Sequence, residues 1–445
     1  MAGEVSSSLG APMYQPRLHA TVMTALASVL LTLPAAAESQ ARIVRLSDVQ
    51  GGVQINKNAG LGFENAFLNL PVTQGTQLRT GERGRAEIEF EDGSTLRITP
   101  NTAVEFTTLG SSDAGKRTST VNLVQGRAYV NWLGKSGEQF TLQFSQEKVV
   151  LTQVAHFRVE NSNGVAQVAS LKNDLDVVGP SATVKVAKKK MVAFDTNNSD
   201  QASAAKGMEQ DPYDEWDKQS VSYHDEYAKN NSTPLGYGYS DLNYYGGYSN
   251  LPGYGMLWQP YFAGAGWNPY MDGAWSWYPG MGFMWASAYP WGWMPYYYGN
   301  WVYASGFGWG WQPGGFNSWH GGLHYVGAVA GFRAPVAPAG TVNTVVVGKG
   351  GAMLSSTPTR VVLNSGSAGM GIARGSLDNL HHLNTQVAKS GQVELRPAAQ
   401  FSAIAPRGGG FTFGEEHAAA RPGGMSHSGA ASSGHASGGV AAGHR

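Results

Sequence analysis

The chain has 445 residues, with 31 Lys and Arg against 31 Asp and Glu, so its formal net charge is zero and only 14% of its residues are charged. That balance removes the basic footprint of a nucleic-acid binder. Cysteine is absent, which rules out disulfides, thiolate metal centres, a Cys nucleophile and a lipidated Cys.

At the N-terminus, Arg17 and His19 precede an apolar run from Ala20 to Leu33, which breaks at Pro34 and ends in Ala35-Ala36-Ala37. A basic stretch, an apolar stretch and a small-residue cleavage site make residues 1–37 a secretory signal peptide cut after Ala37. The run is shorter than the about 20 apolar residues needed to span a bilayer. The expectation is an exported protein, in the periplasm or at the cell surface, without a transmembrane helix in the mature chain. Residues before Met13 include Glu4 and no basic residue, so Met13 is an alternative start.

Residues 42–195 read as short strands such as Ala86–Phe90, Ser94–Ile98, Arg127–Trp132 and Val165–Ala169, separated by turns at Asp92-Gly93, Gln125-Gly126 and Asn163-Gly164. No helical period appears. The fold class expected is all-β: a sandwich or β-roll of short antiparallel hairpins. A connecting helix is expected over 208–230, with Asp211 as cap, Pro212 in the first turn, Tyr213, Trp216, Tyr223 and Tyr227 along one stripe and acidic residues opposite.

From 236 to 319 the composition changes. Eleven of the 13 Trp fall here, and Asp241 and Asp272 are the only charged residues. Trp258, Trp267, Trp275, Trp285, Trp293, Trp301, Trp309 and Trp319 recur at gaps of eight to ten residues, the interval of strand and turn in a β-meander. A Trp-rich hairpin repeat is expected, held by stacked rings in place of aliphatic side chains. Residues 320–445 are dominated by Gly, Ala, Ser, Val and His and read as a low-complexity, mostly disordered tail.

The candidate chemistry is thin. Eight of the 11 His lie at or beyond His320, but His320 and His324 bracket Gly321-Gly322, and the remainder are loosely spaced. Metal sites need rigid ligand geometry, so no metal is assigned. The carboxylate pairs Glu89 with Asp92 and Asp214-Glu215 read as solvated faces. No Gly-x-Ser-x-Gly elbow or phosphate loop is present. No catalytic residue and no cofactor is assigned, and the reading is a non-enzyme. What remains is the aromatic module. Its Trp275, Trp277, Trp293 and Trp301 are candidates for an exposed face that stacks on a ligand, with packing of the rings on one another as the alternative.

One segment has a recognisable pattern. Gly75-Thr76-Gln77-Leu78-Arg79-Thr80-Gly81 is followed by Ala86-Glu87-Ile88-Glu89-Phe90, then Asp92-Gly93-Ser94-Thr95-Leu96-Arg97-Ile98. With Gln125-Gly126-Arg127-Ala128 and Thr152–Val159, this resembles the FecR-type domain over roughly 42–195, and Gly75, Thr80, Gly81, Asp92, Gly93 and Ser94 are its motif residues. The chain departs from the pattern at Lys188-Lys189-Lys190, where a Gly-containing turn is common. The aromatic region is similar to a domain of unknown function that often follows FecR-type domains; Trp291–Trp301 carries that likeness. The namesakes are periplasmic halves of iron-uptake regulators, which relay the state of an outer-membrane receptor to a sigma factor. They do so through a membrane helix and a cytoplasmic segment, and here a leader stands in that place. The regulatory role therefore does not carry over, and what the resemblance implies for the β domain is a sensing or docking role. The partner expected is an envelope protein or polysaccharide, the charge balance having set nucleic acid aside. The alternatives are a periplasmic sensor in a signalling relay and an envelope carbohydrate binder.

Overall fold

A computed structural model describes Gly3 and residues 42–111, 115–197, 201–204, 207–229, 236–319, 323–327, 330–340, 345–347 and 361–395. The expected leader and its cleavage after Ala37 lie outside these residues, as do His320, His417, His427, His435 and His444.

Between Val44 and Phe194, apolar side chains at alternate positions turn inward, and two sheets close over them. The first sheet runs, edge to edge, Ala202–Ala204, Met191–Asp195, Val165–Lys172, Ala155–Ser162, Arg117–Trp132, Thr95–Ile98, Arg85–Glu89, Val44–Gln50, Pro71–Val72. The second runs Thr183–Val186, Leu175–Val178, Glu147–Leu151, Glu138–Phe144, Arg117–Trp132, Ala103–Ser111, Gln77–Thr80, Val53–Asn56, Glu64–Asn65. The long strand Arg117–Trp132 belongs to both: its first half pairs in one sheet and its second half in the other. Phe90, Trp132 and Phe140 close one end of the core, with ring centroids 5.2 to 6.1 Å apart. The expected hairpin at Asp92-Gly93 is present, and Gly93 takes φ +89°, a conformation that side chains resist. At the lysine run, Lys189 itself adopts φ +61° and donates its amide to the Ser170 carbonyl, so this turn forms without a glycine and carries the chain from the second sheet back to the first.

The helix α1 spans Asp214–Tyr227, starting two residues after Pro212, and Asp211 accepts from the Tyr213 amide outside the helix. The aromatic module opens with α2, Tyr239–Tyr245, and contributes three hairpins: Gly246–Leu251 with Gly255–Pro260, Gly273–Tyr278 with Gly282–Ser287, and Tyr298–Ala304 with Gly308–Phe316. A single continuous meander is not what they build. The first and third hairpins join in a five-stranded sheet, while the second pairs separately with Val345–Val347. The rings face inward from both sheets, so Trp258, Trp311 and Trp301 lie in one row across three strands and Trp291 inserts against Trp258 at 4.9 Å.

The expectation of a mostly disordered region from 320 onward, with strand islands at Thr344–Val347 and Thr359–Leu363, is extended by residues 361–395. They form a two-stranded ribbon, Val361–Asn364 with Gln392–Leu395, and the helix α3, Leu380–Ser390. Leu363, Ala368, Ile372, Leu380 and Val387 are buried in the aromatic core, and the Trp291 indole donates to the Ala368 carbonyl at 2.7 Å. Aromatic surface inside a module this poor in aliphatics needs covering, and the sparse apolar residues of the segment supply it. Strands outweigh helices throughout, and the structure is mostly β.

Candidate functional site

Strand alternation puts every second residue of the first sheet on its outer face. Cross-strand register aligns them into rows: Arg45 with Glu89 and Thr95, and Glu87 with Arg97, Tyr129 and Arg158. Such a face is normally solvated. Here it is covered by α1, α2 and the segment around Arg374, and Arg45, Glu87, Glu89, Arg97, Asp217 and Asp241 are each at most 1% exposed. The expectation that Glu89 and Asp92 are solvated is therefore corrected; both are buried.

Three guanidinium groups, Arg45, Arg97 and Arg374, meet four carboxylates, Glu87, Glu89, Asp217 and Asp241. Arg45 sits at the centre. It donates to Asn69 Oδ1 at 2.9 Å, Glu89 Oε2 at 3.1 Å, Asp241 Oδ2 at 2.6 Å and the Pro290 carbonyl at 2.7 Å. Arg97 bridges Glu87 and Asp217, each at 2.8 Å. Arg374 grips both Asp241 oxygens at 2.8 and 2.6 Å and reaches Glu87 Oε1 at 2.6 Å. His224 of α1 lies 2.9 Å from Glu87 Oε1, and His156 lies 2.7 Å from Asp217 Oδ2. The stripe of α1 that meets the sheet is thus Asp214, Asp217 and His224, with Asp214 on Arg158 at 2.6 Å. The far end of the aromatic stripe turns to the module, Tyr223 and Tyr227 packing on Tyr244, while Trp216 lies against Arg85 of the sheet. A charged sheet face selects a charged helix face.

Burial raises the cost of ionising Glu87, but His224, Arg97 and Arg374 outweigh it and hold its carboxyl well below the ordinary range. Asp241 is lowered in the same way, desolvation being overcome by Arg374 and Arg45. Glu89 goes up: desolvation, reinforced by neighbouring Asp241, exceeds the pull of Arg45. Tyr129, which donates to Asp211 and Asp214, is also pushed up, by burial and by those two carboxylates.

The family scan supports the resemblance drawn from the motif residues. The family described as FecR protein matches residues 76–176, and the family of unknown function DUF6600 matches residues 239–336. The chain carries a FecR domain followed by a DUF6600 domain. Two crystal structures, at 1.65 and 2.50 Å, of a protein described as a candidate anti-sigma factor from Parabacteroides distasonis ATCC 8503 are similar at 16% identity. They cover 34% of this chain and 72% and 71% of their own, with a TM-score of 0.27. No curated protein matches.

In the FecR domain the motif residues build turns. Thr80 is buried, donates to the Thr99 carbonyl at 2.6 Å and accepts from the Thr102 amide at 2.9 Å. Gly81 donates to Gly52, and Gly75, at φ +83°, donates to Phe106. Asp92 accepts from the Ser94 amide and hydroxyl, and Ser94 Oγ in turn accepts from Leu133. This last turn is also a junction. Gly236, three residues before the DUF6600 match begins, donates to the Glu91 carbonyl at 2.6 Å, and a Cβ at 236 would collide with the Asp92 carbonyl oxygen.

In the DUF6600 module Trp275, Trp293 and Trp301 are buried and Trp277 is half-buried. Trp275 packs on Trp285 at 5.3 Å, Trp293 on Tyr297 at 4.8 Å and Trp301 on Trp267 at 5.7 Å. The four do not share an exposed stacking face, because the rings are the core. Two grooves open at the surface. One, about 450 Å³, is lined by His156, Met208, Asp214, Asp217 and Lys218; the other, about 330 Å³, by Arg42, Lys57, Thr73, Gln74 and Met281. Among the described residues no group of His, Asp and Glu has metal-binding geometry, and no helix is long and apolar enough to cross a membrane.

Sequence reasoning missed Arg374, Asp241 and His224. A signal did exist for Asp241: a lone carboxylate in an otherwise nearly uncharged, ring-rich segment has to be partnered if it is buried.

Proposed function

We propose that the chain is an exported, non-enzymatic protein of the cell envelope whose FecR domain docks a partner there. The observation that carries this reading is the FecR match over 76–176, taken together with the leader read in residues 1–37. The buried seam narrows where docking takes place. The outer face of the first sheet is committed to internal ion pairs, so its charges are spent on holding the DUF6600 module. The outer face of the second sheet is open: Gln139, Gln143, Lys148, Asp176 and Lys185 are exposed along adjacent strands, a mixed polar surface suited to a protein partner. Burial of Trp275, Trp293 and Trp301 removes the support for carbohydrate stacking at those residues.

The test is fractionation of the native cell with N-terminal sequencing, combined with a photocrosslinking residue at Gln143. A mature chain beginning at Glu38 outside the cytoplasm, with a discrete crosslinked partner, is the expected result. A full-length, uncleaved product in the cytosol overturns export, and an exported chain that crosslinks to nothing at Gln143 overturns the docking face.

A further inference from the structure

The turn at residues 187–190 holds three consecutive lysines, and the backbone at the middle one favours a different residue. Lys189 takes φ +61°, the left-handed region that glycine enters freely and a side chain resists. Such strain is kept where the side chain serves something besides the fold. Among the described residues the one ion pair around this turn joins Lys185 to Asp174 at 3.0 Å. Lys172, Lys188, Lys189 and Lys190 are exposed and have no acidic partner there.

Backbone contacts bring these lysines to one end of the FecR domain. Lys189 donates its amide to the Ser170 carbonyl at 2.8 Å, and Ser170 donates its own to the Lys190 carbonyl at 3.0 Å. Lys188 donates its amide to Asp174 Oδ1 at 2.9 Å. Lys172 follows Ser170 by two residues, and Lys185 stands opposite Asp176 on the outermost strand of the second sheet. Residues 172–190 thus carry five lysines against two acidic residues, in a chain whose formal net charge is zero.

The make-up of the cluster selects its partner. Neither arginine nor an aromatic residue occurs between 172 and 190. Protein interfaces draw on arginine and aromatic rings and are depleted in lysine, and sugars are held on ring faces. Lysine alone presents compact, hydrated point charges on flexible stems, without the fork that matches one carboxylate. Such charges suit a broad field of phosphate groups.

We propose that residues 172–190 are a docking surface for an anionic lipid membrane, the lysines lying against its headgroup phosphates. Basic clusters of roughly this size hold proteins at such surfaces, each lysine strengthening the partitioning about fivefold. The cluster borders the face proposed above for a protein partner, and its test needs neither that partner nor export.

The purified chain from Glu38 onward should sediment with vesicles of phosphatidylglycerol and phosphatidylcholine and be released by added salt, which screens exposed charges. Vesicles of phosphatidylcholine alone should leave it in solution. Lys188→Gln/Lys190→Gln should weaken the partitioning by roughly twentyfold. Lys218→Gln/Lys229→Gln removes the same charge at exposed positions in and just after α1 and should leave the partitioning as it was. Lys189→Gly should weaken it about fivefold while the unfolding midpoint holds or rises, since glycine fits that backbone. Equal binding to neutral vesicles overturns the proposal, as does a Lys188→Gln/Lys190→Gln variant that binds like the wild type. So does a control pair as damaging as the site pair, which would reduce the effect to overall charge. Capture of soluble alginate with no binding to the anionic vesicles assigns the lysines to a polysaccharide and overturns it too.

Discussion

Replacing Arg45 with methionine keeps the aliphatic stem and removes the guanidinium at the centre of the seam. Glu89 loses the guanidinium that bonds it, while Asp241 keeps Arg374 and the Tyr223 hydroxyl at 2.8 Å. Removing one member of a buried ion pair costs about 3–5 kcal/mol, because the other charge is left in low dielectric. The residual partners of Asp241 place Arg45→Met near the lower end, about 3 kcal/mol. Against the 5–15 kcal/mol or so by which folded domains are stable, the variant still folds but loses a visible share of its margin. Urea unfolding should be followed by far-ultraviolet circular dichroism, which reports the strands, and by Trp emission, which mostly reports the DUF6600 module. The midpoint should fall in both, and the double variant Arg45→Met/Glu89→Gln should recover most of the loss by removing the stranded charge. A cost for Arg45→Met below about 1 kcal/mol, the range of an exposed pair, refutes the reasoning. So does a double variant no more stable than the single one.

The two glutamates beside Arg45 and Arg97 should respond to pH in opposite directions. Glu87 is held well below its ordinary value of 4.5, so its contribution is complete above that value and is lost as pH falls through the lower folded value. Glu87→Gln should therefore destabilise at pH 7, with the deficit closing in acid, as read by thermal melts across pH. Glu89 is raised, so its ionisation opposes folding as pH rises past 4.5, and Glu89→Gln should be neutral or stabilising at pH 7. Gly236→Ala drives a methyl group against the Asp92 carbonyl and should cost about 1–3 kcal/mol in denaturant melts; an unchanged midpoint would show that the junction yields freely. Iodide should quench only a minor part of the Trp emission, from half-buried Trp216, Trp277 and Trp319, and addition of polysaccharide should leave the emission of the buried rings unmoved.

Strand alternation made the FecR sheets legible in sequence, because inward residues such as Ala86, Ile88, Leu96 and Ile98 have no other way to leave water. The same alternation named Glu87, Glu89 and Arg97 as outward. It could not say that outward was covered, since a period of two distinguishes faces of a sheet and carries no information about what packs on the far one. The spacing of the tryptophans marked strands at Trp258, Trp275, Trp285, Trp301 and Trp309, whereas Trp267, Trp293 and Trp319 lie between strands. Their order in space was hidden, because Trp275 and Trp285 look the same in sequence whether their hairpin continues the first sheet or leaves it. Composition misled only in part at the C-terminal side. The β-branched run Thr359–Leu363 marked a strand there, whereas Ile372, Leu380 and Val387 are too widely spaced to raise a signal, yet each is buried against rings.

Arg374 shows why those sparse residues are held. It closes on Glu87 of the FecR domain and Asp241 of the DUF6600 module together, across sequence separations of 287 and 133 residues. Neither domain alone presents both carboxylates. A guanidinium buried against only one of them would lack half its hydrogen bonds and much of the Coulomb energy that offsets its desolvation. The segment is therefore favoured only after Arg45 has joined Glu89 to Asp241 and set the two acids side by side. Residues 361–395 thus fasten the seam between the FecR sheet and α2.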